Sequence, residues 1–194
     1  MTPFLAKAVL VALAVGWYVI RYPYARRARR KVVARTERGP REYLLMAISA
    51  AGFGLIPLVY ISFSFPRWAD YPFHPMLGWF GILVAFGSLV MFRLTHRALG
   101  PYWSVSLDVR EQHALVTQGI YGYVRHPMYA AFWLWAMAQA LLLPNWVAGF
   151  AAIVGFGVLF FGRLHREEQL MLKSFGEDYR KYMARTYRLV PGIY

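Results

Sequence analysis

Two stretches of this sequence carry side chains with chemistry in them. From Gly119 to Tyr129 the chain holds Tyr121, Tyr123, Arg125, His126, Pro127 and Tyr129, and from Arg163 to Glu168 it holds two arginines, a histidine and the adjacent carboxylates Glu167 and Glu168. The phenol rings offer faces to a flat ligand, and the N–H groups that open a helix at Pro127 can receive an anion. A carboxylate can hold a cation, or take a proton from an acceptor that has one to lose. Such a set suits a ligand with both charges and a ring. Each stretch also has a plain structural account. Pro is favoured in the first turn of a helix, with His126 at the cap and Arg125 at the lipid headgroup level; Arg163 and Glu167 can pair at i, i+4 on a solvated face. Against the second account stands scarcity: the chain has only nine acids, and two of them are adjacent here.

The elements that position these stretches belong to a membrane. The 194 residues are 59% hydrophobic and 18% aromatic with only 16% charged, too apolar for an ordinary soluble domain of this size. Five apolar segments are predicted as helical spans: Pro3 to Ile20, Tyr43 to Phe65, Pro75 to Phe92, Pro127 to Leu143 and Trp146 to Gly162. Each reaches the roughly 17 to 25 residues that a hydrocarbon core demands, the last two only just. Pro144-Asn145 between those two forces a tight hairpin, which brings the Arg-His-Pro turn and the carboxylate pair to one water interface. No cysteine is present, so there is no disulfide framework and no thiolate nucleophile. No metal is expected.

The net charge of +13 raises the question of nucleic acid. Its placement answers with lipid. Nine basic residues fall between Arg21 and Arg41, and others follow spans three and five, leaving Lys7 and Arg67 alone on the opposite side. This asymmetry predicts an outer N-terminus and a cytosolic C-terminus. The run around Arg26-Arg27 and Arg29-Arg30-Lys31 suits anionic headgroups, each basic residue gaining about 1 kcal/mol beside such a leaflet. The first span is read as a retained anchor, since no small-residue cleavage site follows it. Partners are therefore membrane lipids, not nucleic acid.

Small residues four apart, Ala8, Ala12 and Gly16, then Ala47 and Ala51, then Ala148 and Ala152, or Ala151 and Gly155, predict close helix packing. One compact all-α integral membrane bundle results, residues 1–194 as a single domain, with 1–92 supplying N-terminal spans and 93–194 the site. Arg93 to Arg125, about 30 residues of weak helical periodicity, is longer than a passive connector needs to be. After span five, Leu170, Met171, Phe175, Tyr179 and Tyr182 form an apolar stripe on an amphipathic helix, predicted to lie in the interface or over that loop as a lid.

The run from His113 to Tyr129, then Arg163 with Glu167-Glu168, then Phe175 to Tyr182 and Pro191, resembles the isoprenylcysteine carboxyl methyltransferase family and its relatives among integral membrane phospholipid methyltransferases. The resemblance implies S-adenosylmethionine as methyl donor, bound on the cytosolic side, and a lipophilic small-molecule or prenylated acceptor arriving through the membrane. It places His113, Leu115, Val116 and Gly119 beside the adenosine, largely through backbone atoms. The donor's ammonium, carboxylate and ring then find their chemical counterparts in Glu167, in Arg125 with His126, and in Tyr121 with Tyr129, with Glu168 beside them.

Methyl transfer is an in-line displacement that asks for positioning and for water to be kept away. A carboxylate acceptor needs no base at pH 7, only a cation to orient it; Arg163 is the candidate, with Glu167 holding the donor and Trp103 packing the reacting centre. Trp133 and Gln139 are the candidate acceptor contacts. A phenolic or amine acceptor would instead need His126 or Glu168 as base, so phospholipid and phenolic-lipid methyl transfer remain open, as does a nicotinamide-dependent membrane reductase of the sterol reductase type. The expected location is a prokaryotic cell membrane.

Overall fold

The computed structural model describes residues 1–28, 35–36, 39–100, 103, 108–109 and 115–193. Among these, the chain is a helical bundle: α1 (Pro3–Ala28), α2 (Pro40–Ala50), α3 (Ile56–Phe63), α4 (Pro75–Leu99), α5 (Pro127–Leu142) and α6 (Trp146–Arg185). A five-residue π-helical turn, Ala51–Leu55, joins α2 to α3 in one continuous rod. Beside the helices lie two short 3-10 turns, Arg67–Ala69 and Gly119–Gly122, and a two-residue antiparallel pairing of β1 (Arg35–Thr36) with β2 (Asp108–Val109).

Four of these helical segments are long and apolar enough to cross a bilayer: α1, the Pro40–Phe63 rod, α4 and α6. The fourth expected span differs. Helix α5 has 16 residues, about 24 Å at 1.5 Å per residue, less than a hydrocarbon core of about 30 Å. It ends early because Leu143 turns extended and Pro144 cannot continue the helix. Packed between α4 and α6, α5 buries Tyr129, Ala131, Trp135, Ala136, Ala138 and Leu142 against protein.

The hairpin between α5 and α6 is held by Asn145. Its side-chain oxygen accepts from the Val147 and Ala148 amides at 3.0 and 2.8 Å, capping α6. Its amide donates to the Pro66 carbonyl and to Asp70 at 2.7 and 2.8 Å, tying the α3–α4 connection to the same corner.

The rod and α6 approach closely, as the small-residue spacing predicts. A Cβ on Gly52 would lie 2.3 Å from the Ala151 carbonyl oxygen, and one on Gly155 would lie 2.8 Å from that of Ile48. The π turn sits at this crossing. Ile56 donates to the Ala51 carbonyl five residues back, Pro57 has no N–H to give the Gly52 carbonyl in the same pattern, and Gln139 of α5 donates to that carbonyl instead, at 3.1 Å, and to the Ala148 carbonyl of α6 at 2.7 Å.

Helix α6 carries the fifth span past its predicted end at Gly162 into the predicted amphipathic stretch without a connecting loop. Intrahelical bonds do not register the change from lipid to water, so the backbone continues to Arg185 and breaks only at Gly176, where φ is +53°. That break turns the last stretch back toward the bundle. Tyr179 and Tyr182 are buried, and the Tyr182 hydroxyl donates to the Tyr121 carbonyl at 2.7 Å. The apolar stripe thus lies on the protein's own loop.

Candidate functional site

The site is built where three pieces of chain meet: the turn before α5, the stretch of α6 beyond Gly162, and residues 183–188. Gly119, at φ +62°, opens a short 3-10 turn (Gly119–Gly122) in a conformation glycine adopts without strain. It delivers Tyr121, buried, and the backbone of Tyr123 to Arg125. That backbone is stitched to the segment after α6: Arg125 donates its amide to the Tyr187 carbonyl at 2.7 Å, His126 to Arg188 at 2.9 Å, and Tyr187 to Tyr123 at 3.2 Å. Of the N–H groups at the helix start expected to receive an anion, that of the cap residue His126 is thereby occupied. Pro127 has none.

Glu168 is the hub beneath this turn. Buried to 4% exposure, it accepts from Arg125 Nε at 3.3 Å, from Arg188 Nε at 3.2 Å and from Arg188 Nη2 at 2.9 Å, with His126 Nε2 at 3.4 Å. Arg125 also donates to the carbonyls of Met183 and Thr186. A buried carboxylate so surrounded has its charge and lone pairs satisfied by protein.

Glu167, one residue earlier, faces elsewhere. Its side chain is 28% exposed and accepts the Tyr129 hydroxyl, while Arg163 Nε stands 3.9 Å away. The Tyr129 ring stacks on His126 with centroids 5.4 Å apart. Arg163 in turn meets Glu42 of α2, Nη1 to Oε1, at 3.1 Å. Behind Tyr129 runs an aromatic wall. Phe156 and Phe160 touch its ring at 5.9 and 5.6 Å, and Trp133 closes on both at 5.1 and 5.8 Å.

Arg125, His126, Tyr129, Arg163, Glu167 and Glu168 therefore come together, with Tyr121 linked to them through Tyr182. Leu115 and Val116 lie half-buried just before the 3-10 turn. His113 lies outside the described residues. Trp103 occupies a different cluster, buried beside His96 at 5.0 Å and under the Arg21 guanidinium at 5.5 Å. Gln139 is committed through its amide nitrogen to the Gly52 carbonyl of the π turn and the Ala148 carbonyl of α6.

Sequence reasoning missed Glu42 and Arg188. The scarcity of acids that singled out Glu167 applies equally to Glu42, in the first turn of α2. No comparable signal marked Arg188, whose role depends on the fold returning residues 187–188 to the Arg-His-Pro turn.

What the arrangement can do chemically is hold a cation at the Glu167 carboxylate, stack a ring against His126 and Tyr129, and present Arg163 to an anion beside an apolar wall. A family model described as the isoprenylcysteine carboxyl methyltransferase (ICMT) family matches residues 79–173. The protein-S-isoprenylcysteine O-methyltransferase of Dictyostelium discoideum is 31% identical over 138 residues, 66% of this chain and 56% of that protein. The Schizosaccharomyces pombe protein of the same name is 36% identical over 83 residues, 43% of this chain and 35% of its own length. The chain thus aligns with about half or less of these two relatives. A solved structure described as the eukaryotic intramembrane Ras methyltransferase ICMT, without a monobody, aligns with 100% of this chain and 69% of its own at a TM-score of 0.64 and 19% identity, a likeness of fold.

Proposed function

We propose that this chain is a member of the isoprenylcysteine carboxyl methyltransferase family, a reading that the match over residues 79–173 and the Dictyostelium discoideum relative support, and that it methylates the carboxylate of a lipophilic, isoprenylcysteine-like acceptor at the membrane–cytosol interface with S-adenosylmethionine as donor. The observation that carries the reading is the divergence of two adjacent carboxylates around one turn: Glu168 is consumed by cations, whereas Glu167 keeps an exposed edge beside two stacked rings.

The donor's chemistry fits this donor set. When bound, it supplies an electrophilic methyl on a sulfonium. Glu167 holds the ammonium, its free oxygen edge directed by the Tyr129 hydroxyl. His126 and Tyr129 offer stacked ring faces, and the Leu115–Gly119 backbone borders the adenosine. Arg163 orients the acceptor's carboxylate, which is already anionic and needs no base. Trp133, half-buried and backed by the buried Phe156 and Phe160, gives the acceptor's chain an apolar flank, which also keeps water from the reacting atoms. Charge asymmetry supports a cytosolic position for residues beyond Gly162, with the N-terminus outside.

Radiolabelled methyl transfer in detergent-solubilised protein tests the reading. A prenylated cysteine with a free carboxylate becomes labelled, while its methyl ester and a water-soluble cysteine without a chain do not. Labelling of an aminophospholipid or a fatty phenol alone would overturn the carboxylate assignment; binding of NADPH with no binding of S-adenosylmethionine would overturn the transferase assignment. Arg163→Ala lowers turnover about tenfold or more, the loss of one charge-assisted contact, with donor affinity little changed. Parallel loss of both would place Arg163 on the donor side.

A further inference from the structure

Arg163 stands where α6 leaves its apolar stretch, and carboxylates address it from two different elements. Glu167 is on its own helix, 3.9 Å from Nε. Glu42 comes from the first turn of α2 and is closer, 3.1 Å from Nη1, with side chains 8% and 11% exposed. The approach is an ion pair without the alignment of a hydrogen bond. The start of α2 is docked to hold it. Arg41 donates to the Gly162 carbonyl at 3.4 Å, and Gly162 is packed so closely on Leu45 that a Cβ would meet its side chain at 3.1 Å.

A buried acid here is costly. Desolvating a carboxylate and a guanidinium takes several kcal/mol per ion, and a packed apolar pair of similar volume would serve a purely structural contact as well or better. The first turn of a helix favours a negative charge, which explains how Glu42 is tolerated, not why it is aimed at Arg163. Without it, Arg163 would turn to Glu167 at i, i+4, and each would neutralise the other. With it, the arginine is drawn toward α2, and Glu167 stays with Tyr129.

We propose that Glu42 is a positioning residue for methyl transfer: from α2 it sets the Arg163 guanidinium toward the acceptor and keeps it off Glu167. This rests on the reading that Arg163 meets the acceptor's carboxylate. Glu42 itself touches neither substrate.

The test compares Glu42→Gln, Glu42→Asp, Arg163→Ala and the double variant Glu42→Gln/Arg163→Ala in detergent-solubilised full chain, with a prenylated cysteine bearing a free carboxylate. S-adenosylmethionine affinity is read by calorimetry, and kcat, acceptor KM and thermal unfolding are followed beside it. Glu42→Gln is expected to lower kcat about tenfold with donor affinity within about twofold. Glu42→Asp, which keeps the charge, recovers part of that loss and keeps the question open to measurement if the Gln variant does not fold. In the Arg163→Ala background Glu42→Gln adds no further loss, as required of a residue that acts through Arg163. Equal losses with and without Arg163 would overturn the proposal, as would full turnover in folded Glu42→Gln, or a loss that follows unfolding temperature alone. Full turnover in Arg163→Ala would instead refute the acceptor role of Arg163, and Glu42's role with it.

Discussion

Glu167 and Glu168 are adjacent, on one helix, at the same water interface, yet their surroundings are opposite. Glu168 points under the Arg-His-Pro turn, where Arg125, Arg188 and His126 converge on it. Glu167 points about 100° around the helix from it, toward Tyr129 and the Arg163–Glu42 pair, with a side chain 28% exposed against 6% for Glu168. A carboxylate whose lone pairs are filled by protein holds structure together. One with a phenol on one oxygen and an open edge can take a ligand's cation. The doublet is thus two devices, and helical geometry alone separates them.

Removing the clasp has the largest effect. Glu168→Ala leaves Arg125 and Arg188 without their carboxylate in a buried place, and is expected to destabilise the protein by about 3 to 5 kcal/mol, read as a large fall in the unfolding temperature in detergent. A variant that unfolds normally but fails to bind S-adenosylmethionine would erase the distinction. Glu167→Gln shows the converse: donor affinity weakens by about 1.5 to 3 kcal/mol, the range of a charge-assisted contact, while unfolding temperature hardly moves. Unchanged calorimetric affinity would return Glu167 to a surface role. Tyr129→Phe sharpens the contrast with the smallest effect. Loss of its hydroxyl from Glu167 costs about 1 kcal/mol of donor affinity, whereas the ring, its stacking on His126 and the aromatic wall survive. A loss as large as that of Glu167→Gln would make the phenol itself a ligand contact.

Much of the bundle was legible because lipid writes itself into sequence as apolar runs, so the starts at Pro3, Pro75, Pro127 and Trp146 agree with the helices. Their ends were less legible. The span's predicted end at Gly162 marks where hydropathy changes and the helix was expected to go on; what hydropathy did not show is that span and amphipathic stretch are one helix with its break at Gly176. The π turn left no periodic signal, since one wide turn hardly disturbs an apolar stretch. In the site, types and spacing brought forward Arg125, His126, Tyr129, Arg163, Glu167 and Glu168, which the fold gathers. They were silent on which of the two glutamates would be enclosed, because that depends on Arg188, twenty residues on and beyond a helix break. Trp103 shows the same limit: a tryptophan in a loop signals burial, and only the fold says that its neighbours are His96 and Arg21.

The closure of the turn by residues 183–188 also orders events in time. Arg125 finds its carbonyl partner at Thr186, 61 residues later in the chain, a separation that a ribosome covers in about 3 to 12 s at ordinary elongation rates. The spans up to α5 are therefore synthesised, and free to enter the bilayer, before the residues that fasten the Arg-His-Pro turn exist. A nascent chain arrested before Thr186 would carry every helical span and still lack the residues that close the clasp, so the membrane part of folding precedes the fastening of the turn.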